Sequence, residues 1–268
     1  MMVIAGVLFS LAGLFVVRGT VPVKALKEHQ DIAGLMNGIV GVVYAVILGF
    51  AVILVWEQFE DAKVTVAEEA NSLANVYRLA YGFPAPVRRA LRQQLRSYAQ
   101  AVVQEEWGAM AEGRPSPRAW LALDETWELY ERMEPRTNRE NALYAESLTR
   151  LSDMSNQRRL RLLASRQGVP AIMWILLYVG AVTTIGFTYF FAAESLRAQV
   201  LMTSVMAADL MLALFLISAL NYPFSGDVRI PPDPFIEVIG RMNQIEKHEN
   251  LPPHQGVVQA RPGHRRPG

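Results

Sequence analysis

The sequence has no cysteine, which excludes disulfides, thiol catalysis and cysteine-ligated zinc. Histidine is scarce: His29, His248, His254 and His264 are the only ones, and three of them lie in a polar C-terminal stretch. A metal centre built from them is not expected. An excess of either charge sign is also lacking, since 26 Lys+Arg stand against 25 Asp+Glu for a formal net charge of +1. Such a balance leaves no electrostatic footprint for nucleic acid. Strand-like alternation is missing, and no glycine-rich phosphate loop, nucleophile elbow or HExxH pattern occurs. The chain is therefore not expected to be an enzyme, and no cofactor is implied.

Hydrophobicity is what the chain has in quantity, and it is concentrated in four segments: residues 2–17, 32–56, 170–193 and 199–221. Crossing the hydrocarbon layer takes roughly 20 apolar residues, so the first segment is short. It could pass for a signal peptide. However, no basic residue precedes it, and Val17-Arg18-Gly19 is no small-residue cleavage site. An uncleaved first helix is the expectation. The short turn 194–198 pairs the third and fourth spans antiparallel. Four spans put both termini and the region 57–169 on one side. On that side Lys63, Arg158, Arg159, Arg161, Arg166 and Arg229 outnumber Arg18, Lys24, Lys27 and Arg197 on the other. The bias predicts cytoplasmic termini and a cytosolic domain. Within the cluster 158–166 the arginines set topology or bind anionic lipid.

The second span runs, with no Gly or Pro to stop it, into the charged amphipathic pattern Phe59, Ala62, Val66, Ala70, Leu73, Val76/Tyr77 and Ala80. Spacings of three and four mark a helical stripe. Pro84 and Pro86 end it. Further helices are predicted over 87–110, over 117–133 with Ser116 as N-cap, and over 137–166 with a Thr137/Glu140 capping box. The expected fold is an all-α integral membrane protein: spans one and two in 1–56, a cytosolic helical bundle in 57–169, and spans three and four in 170–222. A C-terminal segment, 223–248, and a disordered tail, 249–268, follow. The acids Glu68/Glu69, Glu105/Glu106, Asp124/Glu125 and Glu128 read as a solvated face, because adjacent acids on a helix point to different sides.

Inside the membrane, Gly34, Gly38, Gly41, Ala45 and Gly49 form a small-residue face suited to helix packing. About 100° around the helix, Val42, Val46 and Phe50 make an apolar row. Asp209 lies well inside the fourth span, where an ionised carboxylate costs about 2.5–3.5 kcal/mol. Counted from the outer ends, Asp209, Tyr44, Thr183 and Thr184 share a depth, so Asp209 is expected to face the bundle interior. It is read either as a structural acceptor or as part of an ion or proton path.

The run His29-x-Asp31-Ile32-Ala33-Gly34, Gly41-Val42-Val43-Tyr44-Ala45-Val46-x-Leu48-Gly49-Phe50 and Val55-Trp56-Glu57-Gln58-Phe59-x-x-Ala62 resembles the bestrophin-like domain family of bacterial membrane proteins. So do Leu201-Met202-Thr203, Leu214-Phe215-Leu216-Ile217 and Pro223-Phe224-Ser225-Gly226. A more distant likeness is to bestrophins proper, pentameric ion channels with four spans per subunit. Leu48-Gly49-Phe50-x-Val52 is similar to their pore-helix motif, and Trp56-Glu57-Gln58-Phe59-Glu60 to the segment after it. Asn221-x-Pro223-Phe224-x-Gly226-Asp227 is similar to the stretch after their last span.

The likeness implies a homo-oligomer, pentameric by resemblance, embedded in membrane lipid, with Val42, Val46 and Phe50 as the pore constriction. Two departures stand out. The first two pieces lie about one helical turn closer together. The acidic cluster that forms the calcium clasp of animal bestrophins is missing; only Asp227, Asp233 and Glu237 are present, separated by prolines, which leaves calcium gating unsupported. The alternative reading is a non-conducting scaffold or sensor whose helical domain binds a cytosolic partner of unknown identity.

Overall fold

The structure is a computed structural model that describes residues 1–191, 195–226 and 228–250, with side chains of 23–31 and 248–250 excepted. The expected disordered tail (beyond residue 250), Asp227 and residues 192–194 between spans three and four lie outside the described residues. Among the described residues all regular structure is helical. The helices are α1 (Met2–Thr20), α2 (Val23–Leu79), α3 (Ala85–Ala101), α4 (Trp107–Met110), α5 (Pro117–Glu131), α6 (Asn138–Ala164), α7 (Ala171–Thr188), α8 (Leu196–Leu220) and α9 (Asp233–Asn250). Four helices, α1, α2, α7 and α8, are long and apolar enough to cross a membrane.

At 57 residues α2 spans the whole molecule, about 85 Å at 1.5 Å per residue. No proline interrupts it until Pro84, and its buried positions keep helical spacing throughout: Tyr44, Ala51, Val55, Ala62, Val66, Ala70 and Leu73. The upper part packs on α7 and α8, the lower part on α6 and α9. Two apolar cores result. One joins Tyr44, Ala51 and Val55 to Leu177, Ala181, Leu210 and Leu214; the other gathers Val66, Leu73, Leu91, Leu95, Met110, Leu151 and Phe235. Each fully buried aliphatic side chain stabilises its core by about 1.5–3 kcal/mol over an exposed one.

The N-caps behave as the sequence predicts. Ser116 Oγ accepts from Ala119 N at 3.3 Å, and Thr137 Oγ1 accepts from Glu140 N at 3.1 Å. Glu140 reaches back one residue further than a standard capping box, taking the Arg136 N–H at 2.8 Å. Three elements differ from expectation. The helix predicted over 87–110 contains a π-turn at Val102–Glu106. It keeps Tyr98, Val102, Glu106 and Met110 on one buried face, although four-residue steps drift by about 40° each on a regular helix. The third span ends at Thr188, not residue 193. Lastly, α9 was not expected in a proline-rich stretch, yet Phe235, Val238 and Met242 bury a stripe at three- and four-residue spacing.

Within the subunit, helices approach closely at Gly180 and not at Gly38, Gly41 or Gly49 of the α2 row. A Cβ at Gly180 would stand 2.2 Å from the Tyr44 ring, and that ring is held by its hydroxyl donating to the Leu177 carbonyl at 2.9 Å. We expect Gly180→Ala to destabilise the membrane core by about 1–3 kcal/mol, the usual cost of overpacking. Thermal unfolding in detergent measures it; an unshifted midpoint would contradict the packing.

Candidate functional site

The predicted constriction residues stand on the face of α2 turned away from its own subunit. Val42 is 66%, Val46 53% and Phe50 68% exposed. Leu35, Ile39 and Ile53 extend the same outward surface, roughly opposite Tyr44 at 100° per residue. Beside this row runs the small-residue stripe. Within the subunit Gly34 meets only the Phe191 side chain, just past α7 and 3.4 Å from where its Cβ would be; Gly38, Gly41 and Gly49 meet nothing within 4 Å, and Ala45 is exposed. α2 thus presents two adjoining outward faces, one of large apolar side chains and one smooth enough for close backbone approach.

The polar residues expected to share one interior layer are divided between two sides. Tyr44 is interior, and Thr184 is buried with its hydroxyl unpartnered. Thr183 and Asp209 are exposed on the single subunit, so Asp209 does not face the bundle interior as expected. The reason is helix rotation. The buried stripe of α8 is Gln199, Thr203, Ala207, Leu210, Leu214 and Ile217, and Asp209 lies about 100° off Leu210. Depth along the chain is readable from sequence; azimuth on an all-apolar helix is not. Asp209 instead borders a groove of about 500 Å³ with Asn37, Thr188, Gln199 and Thr203.

At the other end of the molecule the acids and arginines overturn the solvated-face and topology readings. Glu69, Glu106 and Arg161 are 0% exposed and Arg158 1%. Arg161 donates to Glu69 through Nε at 2.6 Å and Nη2 at 3.0 Å, and to Glu106 at 3.0 Å. Arg158 donates to Glu106 through Nη2 at 2.6 Å and Nε at 3.3 Å. Tyr98 gives its hydroxyl proton to Glu69, and the Ser116 N–H reaches Glu106 at 3.2 Å. Two carboxylates and two guanidiniums therefore cancel inside the bundle, with Arg158 stacked 4.1 Å over Trp120 and Arg161 5.3 Å over Trp107. The rule about adjacent acids holds in half: Glu68 and Glu105 stay at the surface, bound to Gln157, and to Ser116 and Arg118. Their neighbours turn inward. Arg159 and Arg166 remain exposed.

Burial pushes the Glu106 carboxyl up, but the Arg161 and Arg158 guanidiniums outweigh this and hold it below the usual carboxylate range. Burial and the neighbouring Glu69 push Tyr98 well above the usual tyrosine range. Lowered in the folded state, Glu106 contributes stability fully above the ordinary carboxylate value and loses it as pH falls through its folded value. Raised, Tyr98 contributes fully below the ordinary tyrosine value and loses it as pH rises through its folded value. We expect a stability plateau between these limits and an acid limb that Glu106→Gln flattens. Tryptophan fluorescence against pH reads it, since Trp107 and Trp120 touch the network; an acid limb unchanged in Glu106→Gln would assign it to other groups.

The two ends meet at Asn221-Tyr222-Pro223-Phe224. Asn221 Oδ1 accepts the Val169 N–H at 2.6 Å, just ahead of α7. Phe224 packs edge-on against Trp107, ring centroids 5.7 Å apart, and Trp107 Nε1 donates to the Ile230 carbonyl at 3.0 Å. This junction ties the last span to the start of the third and to the lower core.

Comparison with known proteins gives one family. A Bestrophin-like domain model matches residues 4–235. No curated protein matches the chain. Among solved structures, a point variant of a bacterial bestrophin homologue from Klebsiella pneumoniae superimposes with TM-score 0.66 at 12% identity, covering 90% of this chain and 97% of that one. A second crystal structure of a Klebsiella pneumoniae bestrophin homologue gives TM-score 0.61 at 14% identity over 94% and 98% of the two chains.

Proposed function

The chain belongs to the Bestrophin-like domain family, and from that premise we propose that it is the subunit of a homo-oligomeric ion channel. α2 lines the pore, and Val42, Val46 and Phe50 form its constriction. By resemblance the oligomer is a pentamer. It sits in the bacterial cytoplasmic membrane with both termini and the bundle of residues 57–169 on the cytoplasmic side. The observation that carries this reading is the outward row itself. Three large apolar side chains sit half-exposed or more on the one helix that continues from the membrane core into the bundle, opposite the face it uses for its own subunit. The adjoining stripe of Gly38, Gly41, Ala45 and Gly49 lets neighbouring α2 helices approach closely. A ring of Val and Phe then closes by dewetting when narrow and conducts when it widens.

One observation favours the second reading, a non-conducting scaffold or sensor. A groove of about 620 Å³ between α5 and α6 is lined by Trp120, Leu123, Trp127, Leu160 and Leu163 and rimmed by Arg159, a surface fit for a partner helix. Oligomeric state in detergent separates the two readings first: a monomer or dimer leaves no central pore. Planar-bilayer recording of the purified oligomer then decides, because silence from well-folded oligomers leaves the scaffold.

A further inference from the structure

We propose that the groove ending at Asp209 is a binding site for a monovalent cation, separate from the α2 face. Its chemistry is one-sided. Gln199 is 1% exposed; its Nε2 donates to the Tyr189 carbonyl at 3.4 Å, which turns Oε1 to the free end, buried and without a donor. Asn37 Oδ1 is likewise buried and without a donor. The Thr188 hydroxyl spends its proton on the Ile185 carbonyl at 2.6 Å. In the 3.5 Å contact between Thr188 and Thr203 the donor is therefore Thr203, whose lone pairs stay free.

The groove of about 500 Å³ thus offers acceptors: the two buried, donorless amide oxygens of Gln199 and Asn37, the Thr203 hydroxyl oxygen and, at its exposed end, the Asp209 carboxylate. No basic side chain among the described residues lines it. A buried amide oxygen without a donor is costly until water or a cation supplies its partner, and the carboxylate at the mouth of the groove favours the cation. One carboxylate with neutral oxygens gives the site a single negative charge. Divalent calcium takes six to eight oxygens, usually several from carboxylates, so the set suits sodium or potassium. The groove is roomy enough for the ion to keep part of its water, each water taking about 30 Å³. Asp209 supplies the charge; Gln199, Asn37 and Thr203 replace part of the hydration shell.

Cation binding to the folded state raises its melting temperature by mass action, which gives a readout that needs no current and stands or falls independently of the pore. Purified oligomer is melted in sodium, potassium and choline chloride at equal ionic strength. Sodium or potassium should raise the midpoint saturably over choline. Asp209→Asn should abolish the rise while leaving the oligomer intact by size-exclusion chromatography. Should Asp209→Asn fail to assemble, Thr203→Val keeps the charge, removes one ligand oxygen and should weaken the apparent affinity severalfold. Identical midpoints in all three salts would overturn the proposal. A response unchanged in both variants would place the cation elsewhere. Calcium saturating at far lower concentration than sodium would overturn the monovalent assignment.

Discussion

Replacing Arg161 with alanine should destabilise the protein by about 3–5 kcal/mol, the usual consequence of removing one partner from a buried ion pair. The cost comes from what stays behind. Arg161 is the one side chain that touches both carboxylates of the network. Without it Glu69 keeps only the Tyr98 hydroxyl and Glu106 keeps Arg158 and the Ser116 N–H, so one buried carboxylate is left without a cation. Arg161→Lys should not rescue, because an ammonium cannot reproduce the two-pronged contact to Glu69 while also reaching Glu106. Arg158→Ala should cost less, since Arg161 still neutralises Glu106. Arg159→Ala, one residue away and exposed, should stay within about 0.5 kcal/mol of the parent. Circular dichroism against temperature in detergent orders the four variants. Equal midpoints for Arg161→Ala and Arg159→Ala would show that the network does not hold the bundle together. The reverse experiment is informative too: exchanging Glu69, Glu106, Arg158 and Arg161 together for apolar residues of similar volume, with Tyr98→Phe, should restore much of the loss, because no buried charge is then left without its partner.

Truncating the proposed constriction should change conduction in the opposite sense to a loss of stability. Phe50→Ala and Val46→Ala remove bulk from the outward face of α2, where neither side chain is packed within its own subunit. Little folding energy is therefore at risk. A wider, less apolar neck holds water more readily, so single-channel conductance should rise severalfold, more for Phe50→Ala than for Val46→Ala. Ile172→Ala, equally exposed but on α7, serves as the control and should record like the parent. Unchanged conductance in correctly assembled Phe50→Ala and Val46→Ala oligomers would remove these residues from the pore.

Much of the architecture is legible in the residues alone. Four apolar runs, prolines at 84, 86 and 170, and the caps at Ser116 and Thr137 mark the helices because each is local physics: chain length against bilayer thickness, a missing N–H, an orphaned N–H finding a hydroxyl. α9 carried the same kind of signal in Phe235, Val238 and Met242, hidden among prolines. The π-turn at Val102–Glu106 carried none, since its cause is the need to hold Tyr98, Glu106 and Met110 against α6.

The candidate sites divide along the same line. Composition and periodicity by themselves determined that this is a helical membrane protein, that α2 runs unbroken out of the apolar region, and that no cysteine chemistry is encoded. Helical spacing puts Glu69 on the stripe of Val66 and Leu73, and Arg158 and Arg161 on that of Leu151 and Met154, a signal the solvated-face reading passed over. Only the tertiary structure decided that Glu69 and Arg161, separated by 92 positions, meet as a pair. It also decided that Asp209 borders a groove instead of the interior. A helix that is apolar on every side has no preferred face until its neighbours pack against it, so depth is written in the chain and direction is not.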